Sequence, residues 1–182
     1  MKYRLLFNSV LIFSTLALTA CDSSSDSAVD VNSTKILDGK ATIVLPEGYK
    51  RMPDEMLEKK YDTAQRPKEA WYVESEGGKV TLAFSMTASP MNEAQLPDFA
   101  GMMKKQLSAF SPEVSDVTVN GKKMQRLQMT TPDAGNPDGG IYNVMQLSSL
   151  DGNLLITTFN STTDLKDKYS AAGVEALSSL KY

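Results

Sequence analysis

Three short turn signals, Gly77-Gly78, Asn120-Gly121 and Asp151-Gly152, constrain this 182-residue chain more than any other feature. Each stands between two runs rich in β-branched and aromatic residues, the arrangement of a β-hairpin. Residues 69–75 (EAWYVES) and 79–88 (KVTLAFSMTA) flank the first. In the second of these runs Val80, Leu82, Phe84 and Met86 alternate strictly, so one face of that strand is buried. Residues 114–119 and 122–131 flank Asn120-Gly121, the pair favoured in type I′ turns. There Gln125, Leu127 and Met129 share one face, and Met124, Arg126 and Gln128 take the other. Residues 141–150 and 153–160 flank the third turn. A separate strand reads at 41–45 and ends at Pro46. Consecutive hairpins join antiparallel neighbours, so the sheet is expected to be mostly antiparallel.

Two longer segments repeat at helical spacing. Leu96, Phe99, Ala100, Met103, Leu107 and Phe110 form one stripe, with Lys104, Lys105 and Gln106 on the opposite side. Leu165, Tyr169, Ala172, Ala176, Leu177 and Leu180 form another, following a cap at Thr162/Thr163. Gly173 interrupts this helix, where glycine costs ~1 kcal/mol relative to alanine. Pro53-Asp54-Glu55 opens a shorter helix. Residues 132–140 (PDAGNPDGG) read as a long, turn-rich loop. Helices bury their stripes against a sheet face, which predicts an α+β domain with helices on both faces, a three-layer α/β/α sandwich.

The N-terminal residues have a different character. Lys2 and Arg4 precede an apolar run of about 14 residues, too short to span a bilayer as a helix, which needs ~20. The segment fits a secretory signal peptide over residues 1–20. It closes on Leu18-Thr19-Ala20-Cys21, a lipobox, so Cys21 is expected to be cleaved before and lipidated; stable anchoring requires more than one acyl chain. Asp22 then resembles the signal that retains lipoproteins in the inner membrane, on its periplasmic face, the outer membrane being the alternative. Residues 21–35 are small, polar and acidic, the composition of a flexible tether of roughly 20 Å. The globular domain is expected over 36–182.

Without residues 1–20 the chain keeps 17 basic side chains against 22 acidic ones. That balance disfavours nucleic acid, which needs a basic face, and gives no net attraction to anionic headgroups. Cys21 is the only cysteine, so no internal disulfide forms. The chain has no histidine, which excludes Ser-His-Asp and Cys-His catalysis and histidine-ligated metals. No phosphate-cradling GxxxxGK[ST] or GxGxxG occurs, and no SxxK signature of the penicillin-binding type. No cofactor, catalytic residue or metal site is expected, and no binding residue or oligomeric state is specified.

Three weaker patterns have bland readings. Asp133, Asn136 and Asp138 offer oxygens that suit Ca²⁺ but lack the EF-hand spacing, so a solvated hairpin loop is the simpler reading. Met86, Met91, Met102 and Met103 could hold a soft metal, but most fall on apolar stripes, where methionine fills gaps. Trp71-Tyr72 puts one ring on each face of a strand, one in the core and one available for contact, with packing the favoured role.

The ordered region resembles the DcrB family of bacterial lipoproteins. The resemblance is carried by Leu37-Asp38-Gly39-Lys40 before a strand ending Leu45-Pro46, by Gly121-Lys122-Lys123-Met124-Gln125, by Gly152-Asn153-Leu154-Leu155, and by the lipobox followed by Asp22. It implies a PsbP-like α/β/α sandwich, shared with the photosystem II extrinsic subunit and a Ran-binding regulator, and an envelope role noted through phage adsorption and lipoprotein biogenesis. The family defines no catalytic residues. The expectation is a non-enzymatic, lipid-anchored module that binds other envelope proteins. The alternative is a carrier of a small molecule or lipid, with a pocket between sheet and helix.

Overall fold

At the turns 120–121 and 151–152 the backbone does what type I′ geometry demands: Asn120 and Gly121 have φ of 47° and 80°, Asp151 and Gly152 of 52° and 74°. The computed structural model describes residues 32–182. Strands β1 (Ser33–Ile36) and β2 (Ala41–Val44) form a two-stranded hairpin. Strands β3 (Tyr49–Arg51), β4 (Glu69–Val73), β5 (Val80–Pro90), β6 (Glu113–Val119), β7 (Lys122–Asp133), β8 (Asn136–Leu150) and β9 (Asn153–Thr162) form one sheet, ordered β3-β4-β5-β9-β8-β7-β6. Every pairing in it is antiparallel, as the hairpin signals predict. The helices are α1 (Asp54–Lys60), α2 (Leu96–Gln106) and α3 (Lys166–Ser178).

The sheet has helices on both faces because its strands alternate apolar side chains onto both. On one face Leu82, Phe84, Val144, Leu155 and Phe159 pack under α3, with Ala176 and Leu177, and the β1–β2 hairpin adds Ile36 and Ile43. On the other face α2 brings Leu96 and Ala100 onto Leu127, Met129, Leu147 and Leu154. The shorter α1 covers β4 and β5 on this second face, where Leu57 meets Met52, Ala70 and Ala83. The result is the expected three-layer α+β sandwich.

Four local expectations change. Strand β1 takes Ser33, Thr34 and Lys35 out of the expected tether; polar side chains conceal a strand that pairs with β2 through Thr34↔Ile43 and buries Ile36. Strand β3 carries no sequence signal beyond Tyr49, being three residues at a sheet edge. The 132–140 segment is mostly strand: Pro132 pairs with Gly140 and Asp133 with Asn136, and 137–139 form a bulge between these pairs. Gly173 is not a weak point of α3. It is buried against Phe159, and a β-carbon there would overlap the ring.

Candidate binding cleft

β8 begins and β9 ends at the same end of the sheet, beside the start of β5. Beyond that end the tip of the β7–β8 hairpin projects. A cleft of about 560 Å³ opens between the tip and the body, lined by Asp133, Asn136 and Asp138 from the hairpin, by Lys79 just before β5, and by Thr162, Thr163 and Asp164 at and just beyond the end of β9. A second hollow of about 530 Å³ lies on the other side of the tip, against Phe110, Ser111 and Thr131. Both volumes fall in the range of small-ligand sites. Gly139 and Gly140 line both, and a β-carbon at Gly140 would crowd the methyls of Thr130 and Thr163, 2.9 and 3.2 Å away.

Electrostatics in the cleft follow from its carboxylates. The Thr162 hydroxyl beside it holds Asp164 below the usual carboxylate range, with Lys79 contributing. Asp133 accepts a hydrogen bond from the Gly135 N–H at 2.9 Å, an Asx turn that shapes the tip. Across from the tip, Lys60 at the end of α1 donates to the Gly78 carbonyl at 3.0 Å. Burial pushes the Lys60 ammonium down, and Asp133 acts in the opposite direction. Three carboxylates, the Asn136 amide and the Thr163 hydroxyl around the Lys79 ammonium suit a polar or cationic group.

The sequence-nominated residues divide clearly. Asp133, Asn136 and Asp138 do come together, but among the described residues no group of three acidic side chains is arranged to hold a metal ion. Met86 belongs to the α3-side core, Met91 and Met103 to the α2-side core, and Met102 is exposed, so these methionines share no site. Trp71 packs into the α3-side core and Tyr72 into the α1-side cluster, which favours packing over contact for both. Cys21 and Asp22 lie outside the described residues. Lys79 and Asp164 were not nominated: each is an ordinary exposed charge in the sequence, and only the β5–β9 pairing brings them to the cleft.

Two buried polar arrangements also escape sequence reasoning. Arg126 is 7% exposed and donates through Nη2 to Gln146 Oε1 at 2.6 Å and Ser178 Oγ at 3.1 Å. Gln146 donates in turn to the Leu177 carbonyl at 2.9 Å, so the pair ties the sheet to the C-terminal end of α3. A cation there is favoured by the helix dipole, although burial lowers its affinity for the proton. Glu69, also buried, accepts a hydrogen bond from the Leu37 N–H and lies 3.5 Å from Arg51 Nη2.

The architecture matches solved structures. Cyanobacterial PsbP (CyanoP) from Synechocystis superposes with a TM-score of 0.52 at 11% identity, over 87% of this chain and 98% of that one. The fold is PsbP-like. A Bacteroides thetaiotaomicron protein gives a TM-score of 0.52 at 10% identity, over 82% of this chain and 47% of that one. LpqN of Mycobacterium tuberculosis, described as involved in cell envelope biogenesis, gives 0.44 at 13% identity, over 78% of this chain and 82% of that one. No family model matches the sequence, and no curated protein sequence matches it. Among the described residues no helix is long and apolar enough to cross a membrane.

Proposed function

We propose that this protein is a lipid-anchored, non-enzymatic binding module of the bacterial envelope, of DcrB type, held at the periplasmic face of the inner membrane through Cys21. The observation that carries the reading is the continuity from anchor to domain. The lipobox and its short polar segment lead directly into β1, and β1–β2 is fastened to the body. Leu37 N–H donates to Glu69, Lys68 pairs with Asp38 at 2.6 Å, and Lys40 with Asp151 at 2.7 Å. Val44 N–H donates to Ser179 Oγ at 2.8 Å. Three of these contacts fall in Leu37-Asp38-Gly39-Lys40, one of the motifs behind the DcrB resemblance.

The cleft at the β7–β8 tip is where such a module engages a partner, through a cationic or amide-rich segment of another envelope protein. This reading is favoured over the lipid carrier because the cleft is polar, whereas Phe84, Phe159, Leu82 and Leu155 are fully enclosed in a packed core. A link to phage adsorption or lipoprotein biogenesis rests on the DcrB resemblance.

The anchor is tested by Cys21→Ser, which moves the protein from the membrane to the soluble fraction; unchanged fractionation sinks the reading. In an enteric-type host Asp22→Ser redirects the lipoprotein outward. Photo-cross-linkers at Asn136 and at Glu175, on the exposed side of α3, test the cleft: a partner captured equally from both positions removes it as the binding site.

A further inference from the structure

The lysines around the end where the described chain begins form a local exception to its acidic balance. Lys35 on β1 pairs with Thr42 on β2, and Thr42 is bridged in turn to Lys181. Residues paired across neighbouring strands point to the same side, so Lys35 and Lys181 stand two strand spacings, about 10 Å, apart. The bridge is firm: Thr42 and Lys181 exchange two backbone hydrogen bonds, at 2.8 and 2.9 Å. The β6–β7 turn is held against the same end by Asn120, whose Nδ2 donates to the Leu180 carbonyl at 2.8 Å. That turn delivers Lys122, whose ammonium lies 5.8 Å from the centre of the Tyr182 ring.

These three lysines are weakly compensated. Lys122 has one acidic neighbour, Glu93, at 3.9 Å. Lys35 and Lys181 are exposed and form no ion pair among the described residues. The carboxylates Asp133, Asp138 and Asp164 collect at the opposite end of β8 and β9. Asp151, in the β8–β9 turn at the lysines' end, is paired with Lys40, and Lys79 lines the acidic cleft, so the two ends differ in their unpaired charge.

We infer that the Lys35–Lys122–Lys181 face docks on anionic phospholipid headgroups and sets the orientation of the domain on its bilayer. The inference rests on the lipid-anchor reading above. Two observations select a bilayer as the occupant. The face is positive where a membrane surface is negative. It also borders Asn32, where the described chain begins, only 11 residues after Cys21. Eleven residues reach at most about 40 Å, so the face beside Asn32 lies within reach of the headgroups. The field helps on both counts, because headgroups attract the lysines and repel the acidic cleft, leaving the cleft pointed away from the membrane. The lipid supplies attachment, and the lysines supply direction.

The test uses the full lipidated protein reconstituted in vesicles of phosphatidylcholine alone or mixed with phosphatidylglycerol. Vesicle flotation is followed by brief amine-reactive labelling and peptide mass spectrometry. Lys35, Lys122 and Lys181 should be protected by about fivefold on phosphatidylglycerol vesicles relative to neutral ones, the effect of one lysine–headgroup interaction. Lys50 and Lys104 should label equally on both, and raised salt should abolish the protection. Flotation with equal labelling of the three lysines overturns the docking face and leaves the anchor standing. Failure to float with either vesicle overturns the anchor and this face with it.

Discussion

Gly173 of α3 sits directly on the ring of Phe159 in β9, and this contact sets how closely the helix approaches the sheet. Helix propensity alone says that Gly173→Ala stabilises by ~1 kcal/mol. The overlap with Phe159 predicts the reverse, a net loss of about 1–3 kcal/mol from overpacking. Urea denaturation of G173A, and of G173A combined with F159L, distinguishes the two: the second change should recover part of the loss by making room.

Arg126 and Gln146 are bonded but not equivalent. Gln146→Met leaves a buried guanidinium without its main acceptor and costs about 3 kcal/mol or more. Arg126→Met removes the buried charge itself and Gln146 keeps its bond to Leu177, but Gln146 Oε1 loses its donor, so it costs about 1–3 kcal/mol, less than Gln146→Met. Thermal unfolding of the two single variants and the double variant checks this ordering, and equal losses from the two single changes would refute it.

Glu69 holds the amide of Leu37, which with Asp38 adopts a positive φ, 53° and 58° respectively. Such conformations persist only where neighbouring structure enforces them. Glu69→Ala should cost about 1–3 kcal/mol by orphaning a buried N–H. The loss should be local first, so hydrogen exchange at residues 33–44 rises more than in β7 and β8. Glu69→Gln, which keeps an acceptor, should lose less.

Three carboxylates contribute to the acid limb of stability. Asp38 is held below its usual range by Lys68, Glu76 by Lys168 and Tyr169, and Asp164 by Thr162. A carboxylate lowered in the fold binds fewer protons there than in the unfolded chain. Its contribution is therefore present above the unfolded value, ~4, and disappears as the pH falls through the folded one. Between pH 5 and 8 a chain without histidine has little to titrate. Melting temperature should be flat across that window and fall below about pH 4, and Asp38→Asn should shallow the fall.

Strands announced by turn chemistry and alternation were readable residue by residue: Leu127 and Met129 bury on the opposite side of β7 from Met124, as their spacing requires. What was hidden depends on contacts distant in sequence. Ser33, Thr34 and Lys35 look like tether until Ile43 supplies a pairing partner. Gly173 looks destabilising until Phe159 is placed beneath it. The cleft was half legible, because Asp133, Asn136 and Asp138 are neighbours in the chain, whereas Lys79 and Asp164 are brought to them by β5–β9 pairing.

The pairing of β5 with β9 has a consequence for when the protein can fold. It joins Val80 to Ser161 and Met86 to Leu155, so the middle of the sheet is closed by segments some seventy to eighty residues apart. Strands β6 to β9 are a local meander that can zip early, but β3, β4 and β5 have no central neighbour until β9 exists. Closing so long a loop delays the decisive step of folding. A chain made N-terminus first therefore cannot close the middle of its sheet until Asn153–Thr162 has been made.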